Sequence, residues 1–222
     1  MGKKIMLIDT SKCISCRACQ VACKMWHKLP PENNNEPRTD LTGTTRTIVR
    51  EFEVEARGKI RRLFFKDQCR HCDSPACVGG CPLHAVIKHY PTGIVAINPN
   101  TCHPDLCYTY PFGKKTCEKV CPYNIPRIDP ARNKATKCDL CYDRVLDGSR
   151  RKTACADACP TGAIVVGDVD TVIRPYVNMR LPIVRARYPN AKIGGSPKGS
   201  SHVYWLLTED PALYGLPYGP LS

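Results

Sequence analysis

The run Cys13-Ile-Ser-Cys16-Arg-Ala-Cys19-Gln-Val-Ala-Cys23 restricts this chain more than any other feature. A C-x2-C-x2-C spacing wraps three thiolates around one iron–sulfur cube, and a fourth cysteine after three more residues points at a second cube. That crossing demands matching quartets elsewhere, and three are present. They are Cys69, Cys72, Cys77 and Cys81; Cys102, Cys107, Cys117 and Cys121; and Cys138, Cys141, Cys155 and Cys159. Together the four quartets use all sixteen cysteines of the 222 residues. Three of them end in Cys-Pro, at Pro82, Pro122 and Pro160, which marks an internal repeat.

Two blander uses of cysteine fit less well. Disulfides need oxidising export, and residues 1–9 show no apolar signal core ahead of the first cysteine. Structural zinc takes two separated pairs, not a run of four. A formal charge of +13 would ordinarily suggest nucleic acid. A thiolate-bound cube carries about −2 oxidised and −3 reduced, so four cubes offset roughly −8 to −12. The basic excess then neutralises buried cluster charge, and nucleic acid is not expected as a partner. No window reaches the roughly 18 apolar residues that a membrane span needs, so no membrane span of its own is expected.

Along the chain, residues 4–8 read as a strand and residues 20–27 as a helix ended by Pro30 and Pro31. Residues 32–46 are polar and read as a loop. Residues 46–65 alternate, with Ile48, Arg50, Phe52 and Val54 on one face and Val49, Glu51, Glu53 and Glu55 on the other. Arg57-Gly58-Lys59 turns this β-hairpin. Short strands follow two of the Cys-Pro exits, at residues 92–98 and 161–166. Beyond Gly167 the sequence predicts a helix capped by Asp168 or Asp170 and running to Arg187, interrupted by Pro175 and Pro182. Residues 192–201 read as a Gly/Ser-rich loop, 202–207 as a last strand and 208–211 as the start of a helical turn. This tail is too short for its own core and has to pack on the cluster lobes or on another protein chain.

Pairing of the quartets is a choice. Nesting, first with fourth and second with third, is economical; sequential pairing remains open from spacing alone. Closely placed one-electron centres act as a wire, because tunnelling falls steeply with distance. No glycine-rich phosphate loop competes. His27, His71, His84, His89 and His103 are ligands or proton carriers or, more simply, residues beside the clusters or at the surface. Lys24, Arg70 and Lys137 adjoin ligands and either raise cluster potentials or are merely solvated.

Five stretches carry a resemblance: Cys19-Gln-Val-Ala-Cys23-Lys-Met-Trp26-His27, Asp67-Gln-Cys69-Arg-His-Cys72, Cys121-Pro-Tyr-Asn-Ile-Pro-Arg127, Lys137-Cys138-Asp-Leu-Cys141-Tyr-Asp-Arg144, and Tyr204-Trp-Leu-Leu-Thr-Glu-Asp-Pro211. In these the chain resembles the iron–sulfur β subunits of molybdopterin oxidoreductases, and most closely those of tungsten or molybdenum formate dehydrogenases. The resemblance implies an α+β fold of two ferredoxin-like lobes in a nested duplication, with a β-hairpin insertion and a C-terminal extension. The implied outer lobe is residues 1–68 plus 127–170, with 24–68 as insertion; the inner lobe is 69–126 and the extension 171–222. It implies four [4Fe-4S] clusters: Cys13, Cys16, Cys19 and Cys159; Cys23, Cys138, Cys141 and Cys155; Cys69, Cys72, Cys77 and Cys121; and Cys81, Cys102, Cys107 and Cys117. The third quartet departs from the compact spacing, with gaps of four and nine residues. The resemblance further implies a non-catalytic, electron-transfer subunit. Its partner is a catalytic α subunit holding W or Mo on molybdopterin, and its acceptor a cytochrome, ferredoxin or membrane subunit. Without a signal of its own, the chain is expected in the periplasm by export with a twin-arginine partner, or else in the cytoplasm. The C-terminal anchor helix of some relatives is not expected here. Another molybdopterin oxidoreductase partner, or a free polyferredoxin role, are the other readings.

Overall fold

The computed structural model describes residues 2–31, 39–56, 58–147, 152–195 and 201–216. The expected loop at 32–38, Arg57 of the hairpin turn and residues 196–200 of the Gly/Ser-rich stretch lie outside these. At the centre is a four-stranded sheet. β1 (Lys4–Asp9) lies between β8 (Ile164–Asp168), antiparallel to it, and β10 (Val203–Leu207), parallel to it; β9 (Lys192–Gly194) closes the far edge. The unbroken Ile5-Met-Leu-Ile8 run suits a strand covered on both faces, and all four residues are at most 1% exposed. Met6, Ile8, Ile164, Val203, Trp205 and Leu207 face the cysteine loops, while Ile5 and Leu7 face a C-terminal helix.

That helix, α6 (Arg174–Arg187), departs from its expectation. β8 continues to Asp168, a π turn spans Val169–Ile173, and neither Asp168 nor Asp170 caps a helix start through its side chain. Pro175 sits in the first turn, where its missing N–H has no partner to lose. Pro182 lies inside α6 without ending it. The loop expected from residue 192 begins instead with β9, paired through Trp205↔Gly194.

β2 (Ile48–Ala56) and β3 (Lys59–Asp67) pair antiparallel from Ile48↔Asp67 to Ala56↔Lys59. Gly58, at φ +67°, makes the turn in a conformation that costs other residues a Cβ clash. Ile48, Val49, Leu63 and Phe65 at the root are buried, whereas Ile60 at the tip is 84% exposed. Phe65 lies 4.9 Å from Trp205 and 6.4 Å from Tyr214, so strand β10 and the 3-10 turn Pro211–Tyr214 clamp the root.

Between the hairpin and β8 the chain forms two smaller hairpins. The first joins β4 (Val86–His89) to β5 (Ile94–Ile97), the second β6 (Arg127–Asp129) to β7 (Lys134–Thr136). One-turn helices α2 (Ala76–Gly79) and α3 (Thr116–Val120) precede them and pack on each other; α4 (Tyr142–Leu146) and α5 (Ala154–Asp157) precede β8. Helix α1 (Ala18–Trp26) packs on α5 as α2 does on α3. The β4–β5 turn docks on the central sheet: Gly93 has φ +78°, and a Cβ there would stand 1.7 Å from the His202 ring. Among the described residues no helix is long and apolar enough to cross a membrane.

Trp205 ties these layers together. It is fully buried, and its Nε1–H donates to the Lys66 carbonyl at 3.1 Å. Trp205→Ala is expected to cost about 3–5 kcal/mol, read as a fall in the thermal unfolding midpoint of the holoprotein.

Candidate metal centres

Backbone conformation shapes the sulfur loops before any side-chain packing does. In three of the four quartets the residue just before the second cysteine is left-handed and not glycine: Ser15 (φ 57°), His71 (φ 50°) and Leu140 (φ 52°). Such residues are uncommon and mark a local requirement. A second device recurs after each Cys-Pro. Three residues past Cys81, Cys121 and Cys159 stand His84 (φ 49°), Asn124 (φ 52°) and Gly162 (φ 61°). The next N–H then turns back onto the cysteine. Ala85 donates to Cys81 Sγ and Ala163 to Cys159 Sγ, each at 3.3 Å, and Ile125 donates to Cys121.

These loops gather the cysteines into groups of four. One cavity is lined by Cys13, Cys16, Cys19 and Cys159, with Ile8, Val49, Ile164 and Lys66 as walls. A second is lined by Cys69, Cys72, Cys77 and Cys121, with Val95, Ile125 and Lys137. A third is lined by Cys81, Cys102, Cys107 and Cys117, with Val86, Ile128 and Ala135. All three share one build, four sulfurs among apolar walls, which suits three copies of one guest. The long gaps of the third quartet are taken up by 3-10 turns at Pro104–Leu106 and Pro111–Gly113, and a bridge from Thr109 to Lys115 brings Cys117 back.

Cys23, Cys138, Cys141 and Cys155 form the last group, all buried. Cys23 lies beside Cys138 and Cys155, as does Cys141. His27 Nε2 is 3.9 Å from Cys141 Sγ and 3.3 Å from Asp139 Oδ1. Burial opposes ionisation of Asp139, yet His27, Arg46 and the Cys141 N–H hold its carboxyl well below the usual carboxylate range. Of the other histidines, His103 borders the third cavity, His89 stacks on Tyr142, and buried His71 accepts the Val95 N–H at Nδ1.

Most of the sulfurs stand in a dry, low-dielectric setting, Cys16 being the exposed exception. Burial pushes the thiols of Cys72, Cys117 and Cys138 up to about 12 and those of Cys19 and Cys77 up to about 11. Cys159 moves the other way, because hydrogen bonds from Thr161 and the 161, 163 and 164 amides outweigh its burial. All sixteen thiols are free. Four sulfurs per group, apolar walls, N–H donors aimed at sulfur and buried lysines suit an anionic iron–sulfur cube.

Basic residues beside the cysteines have several fates. Lys24 donates to the carbonyls of Pro30 and Thr44, stapling a loop, and Arg70 pairs with Asp67 at 3.0 Å. Lys137 is buried against the second cavity. Lys66 adjoins no cysteine in sequence, so spacing does not reveal it; its one signal is a lysine ending the apolar Leu63-Phe64-Phe65 run of β3.

Comparison with known proteins defines the class first. Two 4Fe-4S dicluster domain family models match, over residues 60–169 and 12–87. The formate dehydrogenase iron–sulfur subunit of Haemophilus influenzae is 36% identical over 225 residues, covering 96% of this chain and 68% of the relative. The beta subunit of formate dehydrogenase 2 (cytochrome c-553) of Nitratidesulfovibrio vulgaris is 36% identical over 220 residues, covering 95% of this chain and 96% of the relative. A sulfite dehydrogenase subunit of Allochromatium vinosum is 32% identical over 177 residues, covering 76% of this chain and 70% of the relative. The chain belongs to the family of formate dehydrogenase iron–sulfur subunits, electron-transfer and not catalytic parts of an oxidoreductase.

Competition between protons and iron for the thiolates sets the pH dependence of iron retention. A thiol whose value is raised on folding keeps its proton more firmly, and iron has to displace that proton. Anaerobic release of iron to a chelator is therefore expected to accelerate steadily as pH falls from about 8 to about 5, followed by visible absorbance; a flat profile would contradict the reasoning.

Proposed function

We propose that this chain holds four [4Fe-4S] clusters in the nested arrangement and conducts electrons between the W- or Mo-molybdopterin subunit of a formate dehydrogenase and an external acceptor. The observation that carries this reading is the membership of the sulfur groups. Cys159 joins Cys13, Cys16 and Cys19, and Cys121 joins Cys69, Cys72 and Cys77. Cys81 joins Cys102, Cys107 and Cys117, and Cys23 lies beside Cys138 and Cys155. Each fourth ligand comes from the partner quartet. The packing of α1 on α5 and of α2 on α3 supports lobes at 1–68 plus 127–170 and at 69–126, with 24–68 inserted and 171–222 as extension.

When bound, the clusters supply one-electron centres. The chain's own part is to order them. Cys19 of the Cys13 group adjoins Cys155 of the Cys23 group, Lys137 joins Cys138 to Cys69, and Cys77 adjoins Cys117. This gives a row running from the Cys13 group to the Cys81 group. A cytochrome, ferredoxin or membrane subunit would take the electrons; the Nitratidesulfovibrio relative carries cytochrome c-553 in its name. Export beside a twin-arginine partner into the periplasm is the location this reading favours, and fractionation of cells tests it.

Formate added anaerobically to the oxidised native complex is expected to bleach the visible iron–sulfur absorbance. Clusters that dithionite reduces but formate does not would refute the formate assignment; bleaching by sulfite would then move the chain beside the Allochromatium protein. Separately, Cys16→Ser is expected to lower bound iron by about four atoms per chain or to turn one cubane into a three-iron centre, counted by iron analysis and Mössbauer spectroscopy.

A further inference from the structure

Three lysine or arginine residues are buried over their whole length among the described residues: Lys66, Arg70 and Lys137. Arg70 is matched by Asp67 and lies over the Trp205 ring at 4.4 Å. The two lysines have no such match. Lys66 Nζ donates to Thr47 Oγ1 at 2.9 Å, and Lys137 Nζ donates to the carbonyls of Val95 and Cys138, the latter at 3.1 Å. No carboxylate among the described residues comes within ion-pair distance of either ammonium; Asp139, already held by Arg46 and His27, reaches Lys137 only at longer range. A cation taken out of water without a counter-ion is strongly disfavoured.

Sulfur takes the counter-ion's place. Lys66 lines the cavity of Cys13, Cys16, Cys19 and Cys159, and it also lies near Cys155, Cys138 and Cys23. It therefore faces both the Cys13 group and the Cys23 group. Lys137 lines the cavity of Cys69, Cys72, Cys77 and Cys121 and neighbours Cys69, Cys77 and Cys138. It faces the Cys69 group and, through Cys138, the Cys23 group. The group of Cys81, Cys102, Cys107 and Cys117 has only half-buried lysines near it, Lys115 and Lys134. Both ammoniums face groups that, once they hold cubes of charge about −2 to −3, supply the counter-charge no carboxylate gives.

We propose that Lys66 and Lys137 are fixed buried charges, each shared by two adjacent clusters, that raise the reduction potentials of both clusters they face. This rests on the four-cluster reading given above. A cube gains one negative charge on reduction, so a nearby fixed cation favours the reduced form, and the weakly screened interior makes the effect large. Because each lysine serves two clusters, the effect links neighbours in the row and leaves the Cys81 group outside it.

The test is a potentiometric titration of the anaerobic complex as isolated, read by EPR, with Lys66→Met and Lys137→Met against the unaltered chain. Methionine keeps an unbranched stem and removes the charge. Each variant is expected to lower the reduction equilibrium constant of two clusters by about tenfold or more, which is 59 mV for a one-electron couple. The two affected pairs share one member, and one cluster moves in neither variant. Lys66→Arg and Lys137→Arg are expected to keep the potentials near their original values. Potentials unmoved in both methionine variants, or a uniform shift of all four clusters, would overturn the inference while leaving the clusters in place. Where a methionine variant loads less iron, full iron in the arginine variant supports the need for charge, and loss in both overturns it. Fewer than four clusters in the unaltered chain would instead refute the reading beneath it.

Discussion

A sulfur cage of this kind closes only when distant segments meet. Cys13, Cys16 and Cys19 lie in one short loop, but their fourth companion in the cavity, Cys159, arrives from the far end of the cysteine-bearing region. Everything around them serves that meeting. β1 leads into the first loop, β8 follows directly from Cys159, and the two strands pair from Lys4↔Asp168 to Ile8↔Ile164. The sheet is thus a clasp for the two ends of one sulfur group. The inner groups are held in the same manner by α2 on α3 and by the hairpins that follow.

Charge follows from the same constraint. The formal excess of +13 looks like a surface property, yet its consequential members are inside. An exposed lysine costs little and tells little. A buried lysine facing thiol sulfur has to be matched, and Lys66 and Lys137 are matched chiefly by the groups that the cysteines build. The paired arginines nearby behave differently: Arg50 bridges Asp40 and Asp67, and Arg46, although near Cys23, is matched by Asp139.

Much of this is legible from residue spacing, because cysteine ligation leaves a pattern of single residues. Strand β1 and hairpin β2–β3 also show, through an unbroken apolar run and a strict alternation. What escapes are features without a local pattern. Helix α6 runs through Pro182 because packing of Val184 and Leu181 on Leu206 and Ala191 outweighs one missing hydrogen bond. β9 escapes because its three residues are a strand only by virtue of pairing with β10. Lys66 escapes because nearness to sulfur across a sheet has no signature along the chain. The left-handed Ser15, His71 and Leu140 escape because nothing in those residue types calls for that conformation.

The place of β10 bears on how the molecule is made. It lies between β1 and β9, parallel to β1, although it follows every cysteine in the chain and so leaves the ribosome after all of them. The loop bearing Cys13 emerges well before it, and the strand flanking that loop remains unpaired on one side until residue 207 is out. The inner groups need nothing beyond Cys121 for their sulfurs. Vectorial synthesis therefore lets the cysteines of the middle of the chain meet while the outer segments still wait for each other, and the late strand is the latch that closes on the first-made loop.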